Sequence, residues 1–320
     1  MINEYYEYNE DDEIKNNEFI NYLDIELFHM EEIPANVSIS TMSLACYLGT
    51  LFKTDNIYKY MILESNYIVA VKSAKGMRCI EEYKGKFKST KKNSGKNFFN
   101  QNTIIIHIIE DRFLNIKLFK NGSIQMTGCK FLSDVNIAIN KLIFKLKEKL
   151  IVKIDNIMNE ITFVDDPNSL YMSKFKIDLI NSNFGVTYLI NKENLFNILS
   201  SKNILCRLSS QHSCVNIKYK VKTKTKPKPK PKTKTKTIES INTSESIDST
   251  LIEIEIESFV SIFVFQTGNI IITGAKKAEH VKDAYYYIVY LLNQNKQNIM
   301  KKDISKILTN EDINEILNYT

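Results

Sequence analysis

Tryptophan is absent from this 320-residue chain, and glycine, proline and cysteine are scarce, with nine, five and five residues. The cysteines are odd in number and lack the paired spacing of metal sites, which disfavours a disulfide framework and a zinc module. No apolar run approaches the roughly 20 residues needed to cross a bilayer, and no signal peptide opens the chain. We therefore expect a soluble, intracellular protein without a membrane partner.

Recognisable catalytic patterns are missing as well. The four histidines are scattered along the chain, and no Gly-rich phosphate loop occurs. Asp165-Asp166 resembles a pair of catalytic carboxylates, but Pro167 follows directly, so a turn is the simpler interpretation. The sequence predicts a protein that is not an enzyme and that needs no cofactor and no metal.

Negative charge is concentrated at the start of the chain. Residues 1–32 contain eleven acids and one lysine, a net charge of −10. Because the whole chain carries +6, the remainder carries +16. A basic body behind an acidic arm is typical of proteins that bind a polyanion.

Two segments of the chain are near copies of each other. Phe119–Lys130 and Phe265–Lys276 are identical at six of twelve positions, at a constant offset of 146 residues. A fixed offset without gaps indicates an internal duplication. Since there are only two copies, a pseudo-twofold domain is expected rather than a solenoid.

The duplication predicts the organisation of the chain. An acidic, flexible arm (1–34) precedes repeat one (35–150), a connector (151–174), repeat two (175–300) and a polar helical tail (301–320). Each repeat opens with a strand, Val37–Leu44 or Lys176–Tyr188, followed by a short helical stretch.

The duplicated segments predict a hairpin followed by a long helix. Asn121-Gly122 is a strong two-residue turn signal, and Thr267-Gly268 is a weaker one. After each hairpin the apolar period changes from two to 3.6. The apolar helix positions are Val135, Ile139, Leu142, Ile143 and Leu146 in repeat one, and Val281, Ala284, Tyr285, Ile288 and Leu292 in repeat two. The pattern β-α-β-β-β-α occurs twice and predicts an α+β fold, with helices on one face of an antiparallel sheet.

A lysine-rich insertion precedes the hairpin at what looks like the corresponding place in both repeats. It spans about 84–96 in repeat one and about 218–250 in repeat two, where lysine occupies every even position from Lys218 to Lys236. Prolines and ten like charges predict an extended, solvated loop there.

In repeat two, the strand between the short helical stretch and the hairpin has two possible positions. Leu251–Phe265 would run directly into the hairpin, after the lysine-rich insertion. Val215–Lys222 would instead bury Val215 and direct Lys218 and Lys220 outward. Either position places the lysines beside the sheet.

One face of the predicted sheet is expected to be uncovered. In repeat two, strand alternation sends Phe263, Phe265, Ile271 and Thr273 to one side, opposite the side that the long helix can cover. An exposed apolar sheet face generally marks a binding site. The alternative is that the arm, the insertions or the tail cover this face.

A broad apolar face flanked by basic loops suits the minor groove of DNA. At A·T pairs this groove offers few hydrogen-bonding groups, and all of them are acceptors. An apolar surface with occasional hydroxyl groups therefore suits it. Aromatic side chains can enter base steps and kink the duplex, while lysines neutralise phosphates.

The same residues resemble the TATA-box-binding protein family. Lys117–Lys130 and Phe263–Lys276 are similar to the two copies of the family's hairpin motif. Phe175–Leu195 resembles the opening of its second repeat, and Ser40–Leu48 the opening of its first. The resemblance implies a saddle-shaped antiparallel sheet made of two pseudo-symmetric repeats, with helices on its outer face.

The resemblance also implies residue roles. Phe119 and Phe265 match one intercalating phenylalanine in each repeat, and Thr127 and Thr273 match hydroxyl residues that contact bases near the pseudo-dyad. The family has a second intercalating residue, or wedge, in each repeat. The candidates in repeat one are Phe98 and Phe99, and repeat two has no convincing counterpart. The remaining residues expected to contact DNA are Phe263, Ile271, Gln125, Asn181, Lys218 and Lys220.

Several positions depart from the family pattern. The family has a central asparagine in each opening strand, and this chain has Val37 and Leu179 at those positions, with Asn36 and Asn181 close by. In repeat one, Lys117, Ser123 and Gln125 replace apolar or basic residues with which the family contacts the groove. The DNA-binding face of repeat one would then be polar, whereas that of repeat two would be apolar. This asymmetry argues against a strict requirement for a TATA element.

The sequence therefore predicts a TATA-box-binding-like transcription initiation factor that binds and bends AT-rich promoter DNA as a monomer. General transcription factors or RNA polymerase would be its protein partners, in the nucleus or in a cytoplasmic viral factory. The alternative is a diverged saddle that acts as a protein-interaction scaffold or as a nonspecific nucleic-acid binder.

Deleting Lys218–Lys236 distinguishes nonspecific binding from groove reading. If the lysines alone hold DNA, the loss of ten charges should reduce affinity for any duplex by about 100-fold or more. A groove-reading sheet should keep its preference for AT-rich over GC-rich duplexes at reduced affinity. Fluorescence anisotropy titrations with both duplexes at two salt concentrations measure this, and loss of the preference would contradict the groove-reading interpretation.

Overall fold

The structure is a computed structural model that describes residues 19–85, 100–209, 213–225 and 254–301. The strands in these ranges are β1 (Ser38–Tyr47), β2 (Ile68–Ser73), β3 (Gly76–Cys79), β4 (Gln101–Ile109), β5 (Arg112–Phe119), β6 (Ser123–Cys129), β7 (Lys149–Ile154), β8 (Ile157–Thr162), β9 (Ser173–Gly185), β10 (Cys206–Ser209), β11 (Cys214–Thr225), β12 (Ile254–Phe265) and β13 (Asn269–Ala275). The α-helices are α1 (Thr54–Tyr60), α2 (Ser133–Lys147), α3 (Lys192–Ser201), α4 (Ala278–Gln294) and α5 (Lys296–Ile299). The predicted α+β class is confirmed.

The chain divides into two units, the first of residues 1–184 with 273–282 and the second of residues 185–272 with 283–320. In the first unit the strands are ordered β9-β1-β6-β5-β4-β2-β3, and the pairs within it are antiparallel. Helix α2 packs against β4 and buries Val135, Ile139 and Leu142 completely, as its 3.6-residue period predicts. Every second residue of β5 and β6 faces this core, including the buried Ile116 and Met126.

In the second unit the strands are ordered β10-β11-β12-β13, and α3 packs against β10 and β11. The predicted core positions Ala284, Ile288 and Leu292 of α4 are buried, whereas Tyr285 is only half-buried. Tyr287 of the same helix lies 4.7 Å from Tyr219 of β11, measured between ring centroids. The helix therefore covers one face of this sheet as well.

The two duplicated hairpins turn in the same way, which differs from the predicted two-residue turn. The amide of Gly122 donates to the carbonyl of Phe119 at 2.9 Å, and the amide of Gly268 donates to that of Phe265 at 3.0 Å. Both glycines have positive φ, 86° and 87°, whereas Asn121 is not among the described residues with positive φ. The loop therefore has three residues and ends on a left-handed glycine, because a type I′ turn would need positive φ at both central residues.

Each hairpin glycine also packs on the segment that follows the opening strand of its own repeat. A Cβ on Gly122 would lie 2.3 Å from the carbonyl oxygen of Thr50, and one on Gly268 would lie 2.7 Å from that of Tyr188. The amides of Leu48 and Val186 donate to the carbonyls of Gly122 and Gly268 at 3.0 and 2.9 Å. The two repeats thus share a backbone contact between non-adjacent elements.

The repeats contain more strands than predicted. Repeat two has one additional strand, with the order β9-α3-β10-β11-β12-β13-α4, and repeat one has two, with the order β1-α1-β2-β3-β4-β5-β6-α2. The predicted connector begins with an unexpected hairpin of β7 and β8, whose turn residues Asp155 and Asn156 both have positive φ. The turn at Asp166 is confirmed, because its carboxylate accepts from the amide of Asn168 at 2.9 Å.

Both positions proposed for the strand of repeat two are strands, and they pair with each other. Strand β11 contains Val215–Lys222, while β12 runs into the hairpin from Ile254. Residues 218–225 are therefore part of the sheet rather than of a solvated loop, and only 226–253 of the lysine-rich tract lie outside the described residues. Deleting Lys218–Lys236 would therefore remove more than half of β11. The test of the lysine tract needs a deletion of 226–236, which leaves the described strands intact.

The two lysine-rich insertions do not occupy corresponding places. Strands β4 and β11 are equivalent, because each pairs with the first strand of its repeat's duplicated hairpin. The stretch 86–99 precedes β4, whereas 226–253 follows β11. The sequence placed both insertions before the hairpin. It could not show that one comes before β4 and the other after β11, the equivalent strand.

The end of the acidic arm lies along α2 rather than free in solvent. Asn136 exchanges two hydrogen bonds with the backbone of Leu23, at 2.9 and 3.1 Å, and Asn140 exchanges two with that of Ile20, at 3.0 and 2.8 Å. The two asparagines are four residues apart and so project from the same face of the helix. The first 18 residues of the arm, and the predicted helical tail from 302 onward, lie outside the described residues.

Within the described part of the chain, no helix is long and apolar enough to cross a bilayer. In the same residues, no group of three or more histidine, cysteine, aspartate or glutamate side chains could hold a metal ion.

Replacing Gly122 with alanine should lower the free energy of unfolding by more than the cost of placing alanine at a positive φ angle. We expect a loss of about 3 kcal/mol or more in the free energy of unfolding, because the added methyl group would collide with the Thr50 carbonyl. Gly85 is the matched control, since its φ is +91° and a Cβ there meets no atom within 4 Å. Gly85→Ala should cost only about 1–2 kcal/mol. Urea denaturation measures both, and equal losses would contradict the packing argument.

Candidate nucleic-acid interface

The face of the first unit's sheet that turns away from α2 carries the predicted groove residues of repeat one. Thr127 lies opposite Ser43 of β1 and Asn115 of β5, and all three alternate with buried core residues. Phe119 ends β5 on the same face, half-buried and opposite Gln101 of β4. We call this surface the open face of the first unit.

A transverse row of polar side chains crosses this open face. Gln125 of β6 lies directly opposite Lys117 of β5, which lies opposite Thr103 of β4, which lies opposite Lys72 of β2. All four side chains are half-buried. The predicted polar side chains Lys117 and Gln125 therefore belong to a continuous polar row across four strands.

The outer end of the same face is covered by the chain itself. Val69, Ala70 and Ile105 are buried there beneath a segment that contributes Met77, Cys79, Ile80 and Tyr83, and Phe113 packs against the same cluster. The rings of Tyr83 and Phe113 meet edge to face at 5.1 Å. The expectation that the whole face is uncovered is thus wrong at this end, because the β3 segment folds back over it.

Two residues predicted to contact DNA meet in the first unit. The hydroxyl of Thr273 donates to Oδ1 of Asn181, and both side chains are half-buried. Asn181 also lies opposite Thr41 of β1. Thr273, Asn181 and the facing Thr41 therefore place three hydrogen-bonding side chains at this level of the sheet.

The second unit carries the predicted residues of repeat two on the face opposite its core. Phe263 and Phe265 are half-buried and alternate with Ile262 and Val264, which are buried completely, and Ile271 is likewise half-buried. The open face of the second unit is therefore mainly apolar, as the alternation predicts.

Two lysines of β11 border this apolar surface. Lys218 lies opposite Ser261 and donates from Nζ to its Oγ at 2.6 Å, while Lys220 lies opposite Phe259, whose side chain is 49% exposed. Both lysines are exposed. The prediction that Lys218 and Lys220 face outward while Val215 is buried agrees with this arrangement.

A protein of Acanthamoeba polyphaga mimivirus that is described as TATA-box-binding protein-like is 34% identical to this chain over 297 residues. The match covers 85% of this chain and 71% of the relative. This chain belongs to the TATA-box-binding protein-like family. Among solved structures, the TBP of Methanococcus jannaschii matches with a TM-score of 0.43 and 16% identity, over 81% of this chain and 99% of that one. No protein-family model matches the chain.

Membership of the TATA-box-binding protein-like family confirms the resemblance inferred from the duplicated hairpins, while the structure changes the equivalence between the opening strands. The hairpin contacts make Leu48 equivalent to Val186, an offset of 138 residues, so Ser43 is the counterpart of Asn181. Val37, by contrast, precedes β1 and is buried. Alignment by motif had paired Val37 with Leu179 because it cannot detect a shift of four residues within a strand.

In the described strands no aromatic residue lies directly across from Phe119 or Phe265. Phe98 and Phe99 lie outside the described residues. Across from Phe119 the described strand presents Gln101, and across from Phe265 it presents the buried Cys214. The polar residues Thr103 and Lys72 were missed by sequence reasoning, because the run Ile104-Ile105-Ile106 hides the alternation of β4.

The strongly raised pKa values belong to the interior. Burial raises the pKa of the Cys46 and Cys129 thiols to about 12, so both stay protonated at neutral pH. A buried protonated thiol is not a nucleophile. These two thiols belong to the core, and the open faces present hydrogen-bonding, apolar and charged side chains instead.

Proposed function

We propose that this protein is a TATA-box-binding-like transcription initiation factor, which binds AT-rich promoter DNA through the minor groove and bends it. The observation that carries the proposal is the equivalent placement of Phe119 and Phe265. Each ends the first strand of a duplicated hairpin on an open sheet face, beside a left-handed glycine that packs on its own repeat. Membership of the TATA-box-binding protein-like family supports the same conclusion.

Phe119 and Phe265 would act as wedges. An aromatic ring that enters a base step partly unstacks it and kinks the duplex, which is the mode of the TATA-box-binding protein itself. A half-buried ring at the end of a strand has its position set by the hairpin, so little ordering is needed on binding. One wedge in each repeat would give one kink in each half of the DNA element.

Asn181 and Thr273 would contact base edges. Because the Thr273 hydroxyl donates to Oδ1 of Asn181, the amide nitrogen Nδ2 of Asn181 is directed elsewhere and has no partner among the described residues. At A·T pairs the minor groove presents only acceptors, which such a donor satisfies. The apolar Phe263 and Ile271 would contact the sugar and base surfaces, and Thr127 would contribute a second hydroxyl.

Lys218 and Lys220 would neutralise phosphates beside the groove. The outer helices α2 and α4 would present general transcription factors or RNA polymerase with a surface, while a single chain occupies the DNA. In this role the protein acts by binding and bending rather than by catalysis, at an intracellular site of transcription.

The double variant Phe119→Ala and Phe265→Ala should abolish bending. Without the wedges the duplex should stay near straight, and affinity for AT-rich DNA should fall by about tenfold or more, because unstacking is no longer compensated by ring contact. End-labelled FRET on AT-rich and GC-rich duplexes, at low and moderate salt, measures the bend. Phe259→Ala is the matched control: this phenylalanine is exposed on the same strand as Phe265 but is not at the hairpin, and its loss should leave the bend unchanged.

Unchanged bending by the double variant would contradict the wedge assignment. Binding by the unaltered protein that is unbent, indifferent to base composition and lost with salt would contradict the whole proposal, because only phosphate contacts would remain.

A second candidate function is supported by the unexpected β7–β8 hairpin. Its side chains Ile151, Ile157 and Met158 are 63–65% exposed, and an exposed apolar group of this kind is typical of protein contact surfaces. A scaffold that only contacts proteins would use this hairpin and leave the DNA straight in the same FRET measurement.

A further inference from the structure

The polar row on the open face of the first unit has no counterpart in repeat two. At the 146-residue offset of the hairpins, Lys117 and Gln125 are replaced by Phe263 and Ile271. Across from Phe263 lies Asn216, where Thr103 lies across from Lys117. At equivalent positions, the open face is therefore polar and cationic in repeat one and largely apolar in repeat two.

Each side chain of the row can donate a hydrogen bond, and that of Gln125 can also accept one. Among the described residues, no hydrogen bond or ion pair involves the side chain of Lys72, Thr103, Lys117 or Gln125. Each is half-buried, so strand neighbours already exclude part of the surrounding water. A ligand that covers this row without matching its donors and acceptors would leave them desolvated and unpaired, which opposes binding.

The chemistry of the row specifies what the ligand must offer. The ammonium groups of Lys72 and Lys117, the Thr103 hydroxyl and Nε2 of Gln125 can all donate to the acceptors that every base pair presents in the minor groove. Oε1 of Gln125 is different, because it can only accept a hydrogen bond. In the minor groove the only hydrogen-bond donor on a base is the N2 amino group of guanine.

We propose that Gln125 is a specificity-determining residue, which makes repeat one accept a G·C pair in its half of the DNA element, whereas repeat two requires A·T pairs. The inference rests on the proposed function, since it assumes that the open faces meet the minor groove. Lys117, directly opposite Gln125, supplies a donor to the acceptor of the same or the neighbouring pair. The recognised element is then asymmetric, which orients the protein on the promoter.

Inosine provides a direct test, because an I·C pair lacks only the N2 amino group of G·C and presents the acceptors of an A·T pair in the minor groove. A set of AT-rich duplexes carries a single G·C or I·C pair at each position in turn, and the affinity of the full chain is measured at one salt concentration. We expect one position at which G·C binds at least as tightly as I·C. At the other contacted positions I·C should bind about tenfold more tightly, because the amino group meets apolar side chains.

Two reciprocal variants test the assignment to Gln125. With Gln125→Ile, the affinity for I·C relative to G·C at the G·C-accepting position should rise by about tenfold, so that this position behaves like the others. Ile271→Gln, the change at the equivalent position of repeat two, should create a second position that accepts G·C. Both positions are half-buried on the open face, so neither change disturbs the core beneath α2 or α4.

The outcomes separate the inference from the function on which it rests. If the unaltered protein bends DNA but prefers I·C to G·C at every position, or if Gln125→Ile leaves the profile unchanged, the inference is overturned and the proposed function stands. If no duplex is bent and affinity is indifferent to composition, the proposed function fails, and the inference fails with it.

Discussion

The rest of this structure depends on one constraint: each repeat has one long helix, and a helix can bury only one face of a sheet. In the first unit α2 takes the alternating residues of β5 and β6, and in the second unit α4 packs on the sheet that contains β11. Strand alternation then leaves every second side chain on the opposite face. Burial of apolar area against the helices drives folding, and the surface left over is available for a ligand.

In the described part of the chain, a segment of repeat one that has no counterpart in repeat two covers part of the open face of the first unit. The β3 segment covers Val69 and Ile105 and so converts the outer end of the first unit's face into a small second core. Next to it lies the polar row that begins at Lys72. The second unit keeps Phe263 and Phe265 partly accessible instead. A duplicated framework can thus present two chemically different faces, because the residues that face away from the long helix do not pack against it.

Prediction from sequence succeeded where local pattern and packing agreed. The period-3.6 positions of α2, the alternation around Phe263 and the turn at Asp166 depend on neighbours in the chain, and all are confirmed. It failed where a distant contact decides the outcome. The hairpin loop at Asn121-Gly122 is set by the approach of Gly122 to Thr50, some 70 residues earlier in the chain, and the lysines of β11 form a strand because β12 pairs with them.

The sequence by itself determined the duplication, the α+β class and the identity of the hairpin phenylalanines, because a fixed 146-residue offset and residue periodicity are properties of the chain alone. Only the tertiary structure decided which residues share a face and a level. Lys72 and Gln125 are 53 positions apart and enter one row only through the pairing of β2 with β4, β4 with β5, and β5 with β6. Strand register joins residues without regard to their separation in sequence, so no local pattern reveals such a row.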